Sequence, residues 1–297
     1  GCSQAPGGDT SAGPKATTQG TQGPAALGDD AAVVHPPDPQ SDVIGWEKGL
    51  WYNETVNVTR SDGLNDSEMN AVVNRAMARV EKIRQLEFEK KVPVEVVSRS
   101  KFVENQQNSE TPPKRRTFDN AKYEALMMIN ESTDSIAVQN RNTGASVGGY
   151  YSPKKESIVI VSNNESAPKM NEITLSQELF HALQDQKYNL SKFDQRTRED
   201  HNAVDGIIEG DGNYVDYLYE QRCKNAWQGT CLLPQNEGSG GGGDLANMGP
   251  YLLKFQPYSD GPPFVKSVRK EGNWQAVDDL YQNAPASTEQ VIHPKKY

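Results

Sequence analysis

The chain has 297 residues, is 35% hydrophobic and 24% charged, and carries a formal net charge of −9. Its length suits one large domain or two modest ones, and the acidic balance argues against nucleic acid and anionic lipid headgroups as partners. No run approaches the roughly 20 apolar residues a membrane helix needs, so contact with a membrane is expected only through an attached lipid.

The chain opens Gly1-Cys2-Ser3, with no initiator Met and no apolar signal segment, which reads as a processed start. Cys2, followed by a small and polar run, resembles a lipoprotein attachment site; an ordinary free thiol is the plainer reading. Residues 1–42 are rich in Gly, Ala, Thr, Pro, Gln and Asp and nearly lack large apolar side chains. They cannot bury enough surface to offset ordering entropy and are expected to form a disordered tether that includes His35. Aromatic residues begin at Trp46, so residues 43–297 are expected to fold, ending at Tyr297 without a natural closing element.

Ser67 is positioned to cap a first helix, along which Met69, Val72, Val73, Ala76, Val80, Ile83 and Leu86 recur at helical spacing. Residues 92–97 read as a strand, 104–116 as a loop, and 118–131 as a helix carrying Tyr123, Leu126, Met127 and Ile129. Two strands, 147–153 and 157–161, joined by a tight turn at 152–156, predict an antiparallel hairpin. Helices over 172–187, capped by Asn171, and over 199–221 follow. A glycine-rich break spans Gly238–Gly243, and short helices are expected near 262–271 and 274–283. Ser287 and Gln290 read as a capping box ahead of His293.

Six Asn-x-Ser/Thr sequons, at Asn53, Asn57, Asn65, Asn130, Asn164 and Asn189, suit a glycosylated surface protein. Cys223 and Cys231 form no Cys-x-x-Cys pair; a local disulfide is the simpler reading in an oxidising compartment, two separate buried thiols the other.

The segment Thr174–Gln186 holds the chemistry. Leu175, Leu179, Ala182 and Leu183 make an apolar stripe, while positions 177 and 181 lie one turn apart on a shared face. The zinc motif His-Glu-x-x-His needs that geometry, with two imidazoles on one ion and the Glu activating a bound water. Here Gln177 stands where the first ligand would be, with Glu178 and His181 in the places of base and second ligand. Taken alone, Glu-x-x-His is most simply a helix with a solvent-facing Glu and a satisfied His.

The longer run Glu178-Leu179-Phe180-His181-Ala182-Leu183-Gln184-Asp185-Gln186 resembles the HELxHALQDQ signature of a gluzincin-like family. That family includes lipid-anchored surface proteins of halophilic archaea and related bacterial proteins. Gly45-Trp46-Glu47, Asp62–Glu68, Gly149–Pro153, Glu209-Gly210-Asp211, Trp274–Asp278 and Ser287–Pro294 extend the resemblance over nearly everything after residue 44. It implies an α+β, zincin-like metallopeptidase scaffold, with a small twisted sheet over a helical half and helices 172–187 and 199–221 as the cleft floor. It implies zinc as cofactor, Glu209 as third protein ligand, and a protein or peptide in the cleft. Asp211 and Asn213 are then candidate supporting partners of the ligands, and Gly210 and Gly212 suggest close packing on the metal helix.

Gln177 departs from the pattern. A neutral carboxamide binds zinc far more weakly than imidazole, so a surface protein with a degenerate metal site is expected, weakly active or inactive as a peptidase. The alternative is an active zinc-dependent peptidase with Glu178 as general base. His293 is read as structural, with entry into the cleft as the other possibility. His201 is expected on an exposed helix start. Tyr150 and Tyr151 either flank a groove along the edge strand or pack in the core. The expected location is extracellular, at the cell surface, held by a lipid anchor.

Overall fold

A computed structural model describes residues 35–59, 61–107, 110–165, 168–233 and 247–297. Cys2, most of the tether and the glycine-rich Gly238–Gly243 break lie outside these residues. The described part mixes helix with small sheets and is helix-rich. None of its helices is long and apolar enough to cross a membrane.

The first element is a hairpin of β1 (Trp46–Glu47) and β2 (Leu50–Trp51). Lys48 and Gly49 both have positive φ, as a two-residue type I′ connection requires. His35 lies edge-on to the rings of Trp46 and Trp51.

Helix α1 (Asp66–Arg84) is capped by Asn65, not by Ser67. The Asn65 side chain accepts from the Ser67 and Glu68 amides while Glu68 reaches back to the Asn65 amide, a reciprocal box that starts the helix earlier. Its apolar stripe packs on Leu175, Leu179, Ala182 and Leu183. The opposite side is also covered, so Arg75, Arg79, Glu81 and Arg84 are buried.

Glu81 holds the hairpin to this helix. Its carboxylate accepts from the amides of Gly45 (2.9 Å) and Phe88 (3.0 Å) and hydrogen bonds the buried Glu47. Burial pushes Glu81 up from 4.5 to about 9. Burial, with Asp42 nearby, pushes Glu47 up to about 7. The native state therefore holds more protons than the unfolded chain above pH ~4.5, where free glutamates ionise. The stabilisation is fully present below that point and is lost as pH rises through about 7 and then about 9. Thermal melts should show stability falling from pH 5 to pH 9, by at most ~1.4 kcal/mol per pH unit per group. Glu47→Gln, whose amide donates to Glu81 without a titrating proton, should flatten the lower part of that decline. An unchanged pH profile in this variant would remove the pair as its source.

Strands β3 (Val94–Ser98), β4 (Gly149–Ser152) and β5 (Ser157–Ser162) form one sheet in the order β3-β5-β4. The hairpin β4–β5 is antiparallel, as its sequence predicts, whereas β3 joins β5 in parallel. The central strand is covered on both faces and so reads as a continuous apolar run. Ile158 and Ile160 meet α1 and α5, while Val159 and Val161 meet Val97 and Phe102.

Three helices connect β3 to β4. They are α2 (Arg99–Gln107), α3 (Pro113–Ala125) and α4 (Ser135–Ser146). The expected loop 104–116 is thus largely helical, and the expected helix 118–131 starts earlier and ends at Ala125. Pro113 suits a first helical turn, and Met127 breaks the path with φ 57°. Leu126 and Met127, expected on that helix, are 50% and 92% exposed.

Helix α5 (Glu172–Tyr188) is capped by Asn171 as expected, and α6 (Arg198–Asn225) runs from Thr197. Cys223 and Cys231 are joined by a disulfide. Helix α7 (Met248–Leu280) is interrupted by non-helical angles at Gly272 and Asn273, between the two short helices expected there, but its first part starts at Met248 and not near residue 262. Helix α8 (Thr288–Ile292) follows. Ser287 makes no capping bond there; Gln290 Oε1 accepts the Ala286 amide instead.

Helices α6 and α7 cross where Gly206, Gly210 and Gly261 meet. A Cβ on Gly210 would lie 2.6 Å from the Gly261 carbonyl carbon, a backbone atom that cannot yield locally. Gly210 thus serves α7, not the α5 contact its sequence suggests. Gly210→Ala should cost at least 1–3 kcal/mol, the usual range for overpacking, read as a lower denaturation midpoint in urea. A midpoint within error of the parent would show that the crossing has slack.

Candidate functional site

Gln177, Glu178 and His181 project from the middle of α5, and Glu209 from the middle of α6. Gly212 allows the approach, since a Cβ there would come within 3.1 Å of the His181 ring and 3.7 Å of Gln177 Cγ. Glu209 Oε2 lies 3.3 Å from His181 Nε2 and accepts from Gln177 Nε2 at 3.5 Å. Three side chains from two helices therefore converge on one point.

Burial alone would make the Glu209 carboxyl harder to ionise and His181 harder to protonate. Each overrides that for the other. The charge of Glu209 lifts His181 to about 9, and the His181 imidazolium pulls Glu209 down to about 2. At neutral pH the two form a buried ion pair. Tyr258, on α7, donates to the other Glu209 oxygen at 2.8 Å.

A chain of hydrogen bonds holds the imidazole from behind. His181 Nδ1 meets Gln184 Oε1 at 2.7 Å, so Nε2 is the nitrogen facing Glu209. Gln184 Nε2 donates to Ile208 O (3.0 Å) and to the Tyr281 hydroxyl, which donates to Asp211 Oδ2 at 2.9 Å. Asp211 is salt-bridged to the buried Arg84, which also pairs with Asp278. Asp211 thus supports the site at a distance through Tyr281 and Gln184. Asn213 donates to the Glu209 backbone carbonyl at 2.8 Å, not to its carboxylate.

Glu178 points towards the sheet, where one carboxylate oxygen accepts the Tyr151 amide of β4 at 2.7 Å. The two tyrosines of that strand part company. Tyr151 packs on the α5 side and donates to Asp185, while Tyr150 packs on the other face beside Phe102. His293 is exposed, 4.0 Å from Glu289. His201 pairs with Asp205 at 3.1 Å in the second turn of α6.

Among the described residues no group of three or more His, Cys, Asp or Glu is arranged to hold a metal ion. At the convergence point the donors are one imidazole, one carboxylate and one carboxamide. The first two are occupied with each other, and the third is neutral. A structural or catalytic zinc takes at least three strong protein donors, so this set does not fit a tightly held zinc.

No protein family, characterised protein or solved structure matches the chain.

Gln184, Tyr258 and Tyr281 are the contributors that sequence reasoning missed. Gln184 had a signal. It sits in the quoted run three residues after His181, on the same helix face. Tyr258 and Tyr281 gave none, because their role depends on how α7 crosses α6.

Proposed function

We propose that this chain is a cell-surface, gluzincin-like protein whose metal site is degenerate at Gln177, and whose cleft binds a protein or peptide rather than hydrolysing it. The observation that carries this reading is the donor set that converges there, one imidazole from His181 and one carboxylate from Glu209, with the neutral Gln177 at the third vertex. A zinc ligand set keeps its imidazole neutral and aimed at the ion. Here a neutral carboxamide, Gln177, stands where a second imidazole would be. The disulfide between Cys223 and Cys231 supports an exported protein.

The protein purified in zinc-containing buffer and then dialysed should carry far less than one zinc per chain by elemental mass spectrometry. One zinc per chain surviving dialysis would overturn the reading. It would favour the alternative, an active zinc peptidase with His181 and Glu209 as ligands and Glu178 as general base.

A further inference from the structure

The six sequons are equal in the sequence and unequal in the fold. Asn53 is 7% exposed, and its Oδ1 accepts the Gln228 amide at 2.6 Å, so a glycan there has no room. Asn65 is the α1 cap, and its middle residue is Asp66. Asn57 is exposed, but the hydroxyl of Thr59 donates to Asp62. Asn130 collects the hydroxyls of Ser132 and Thr133, with Glu131 between. The hydroxyl residue of the Asn164 sequon, Ser166, lies outside the described residues.

Asn189 combines what the others have only in part, the exposure and neutral middle residue of Asn57 with the bond from its own sequon's hydroxyl seen at Asn130. It is exposed and ends α5 in the left-handed conformation, φ 52°, where the chain turns away from the helix. Its Oδ1 accepts the Ser191 hydroxyl at 2.5 Å. That bond ties up the amide oxygen and leaves Nδ2 as the atom that would take a glycan. The middle residue, Leu190, is neutral. Beside it lies a hollow of about 620 Å³, whose walls include Tyr151, Pro153, Lys154, Asp185 and Ser191. A hollow of this size takes a small organic ring.

We propose that Asn189 is an N-glycosylation site, with the first sugar seated in the hollow beside Tyr151. The step forms a bond from Asn189 Nδ2 to the anomeric carbon of a lipid-linked diphospho-oligosaccharide. The anomeric C–O bond breaks, the lipid diphosphate leaves with the bonding electrons, and one amide proton is lost to a base of the transferase. The proposal rests on the exported state put forward above and is independent of the metal site.

The test is to export the full chain through a secretory pathway whose oligosaccharyltransferase reads Asn-x-Ser/Thr. Glycopeptides are mapped with and without peptide-N-glycosidase. Asn189 should be occupied in most molecules and Asn53 in none. Asn189→Gln should lower the intact mass by one glycan. Ser191→Ala, which keeps the asparagine in its left-handed turn, should lose the same glycan, and Ser191→Thr should retain it. A folded, exported chain with Asn189 bare, whether or not other sequons are filled, overturns the assignment. The zinc result bears only on the cleft, so failure of that reading leaves this assignment standing.

Discussion

Gln177→His should bind zinc at least a hundredfold more tightly than the parent, a gain of about 2.8 kcal/mol. Positions 177 and 181 share a helix face, and Gln177 already lies 3.5 Å from the carboxylate that His181 meets. A second imidazole there would complete two nitrogens and one carboxylate, the ligand set of several catalytic zinc sites. Zinc would have to displace the proton on His181, so affinity should rise with pH up to about 9. Gln184 already holds the ring with Nε2 towards the site, so that orientation need not be found on binding. Isothermal titration of both proteins decides it. A folded variant that binds no better than its parent would show that the three side chains cannot close on one ion.

Glu172→Gln should destabilise the fold by about 3–5 kcal/mol, the usual result of removing one partner from a buried ion pair. Glu172 is the counter-charge for two arginines. Arg75 and Arg79 reach its carboxylate at 3.1 and 2.7 Å, and all three side chains are fully buried. The same carboxylate accepts the Tyr219 hydroxyl and the Leu232 amide. Arg79 also donates to the Tyr52 carbonyl and to Cys231 Sγ. A neutral amide leaves two guanidinium groups in the core without an anion. Chemical denaturation of the variant at neutral pH measures the loss; a cost below about 1 kcal/mol would mean that water reaches the arginines.

The elements legible in the sequence were those with one clean apolar face. Helices α1, α5 and α6 and the β4–β5 hairpin carry such faces, and their spacing alone located them. The region from 99 to 146 was misread because its apolar residues do not all point inward. Tyr123 and Ile129 are buried, but Leu126 and Met127 between them are exposed. The break in α7 at Gly272 and Asn273 is where the sequence puts it, but the helix before it starts much earlier than expected, because Pro257, Pro262 and Pro263 ordinarily interrupt a helix. In the candidate site, Gln177, Glu178 and His181 were legible because they lie on one helix. Glu209 entered only through a family resemblance, since nothing in its own neighbourhood marks it. The arginines of α1 were invisible as core residues, because burial of a charge depends on partners far along the chain.

The sheet has a consequence for how the chain reaches its fold. Strand β5 meets β4 across a turn of four residues, Pro153–Glu156, but meets β3 only after residues 99–156 have been looped out. Closing the longer loop costs about 2–3 kcal/mol more in chain entropy. The hairpin should therefore form early, and the parallel partner should dock late. Until it does, one edge of the most apolar strand among the described residues is unpaired, which makes that interval one in which the chain is prone to associate with itself.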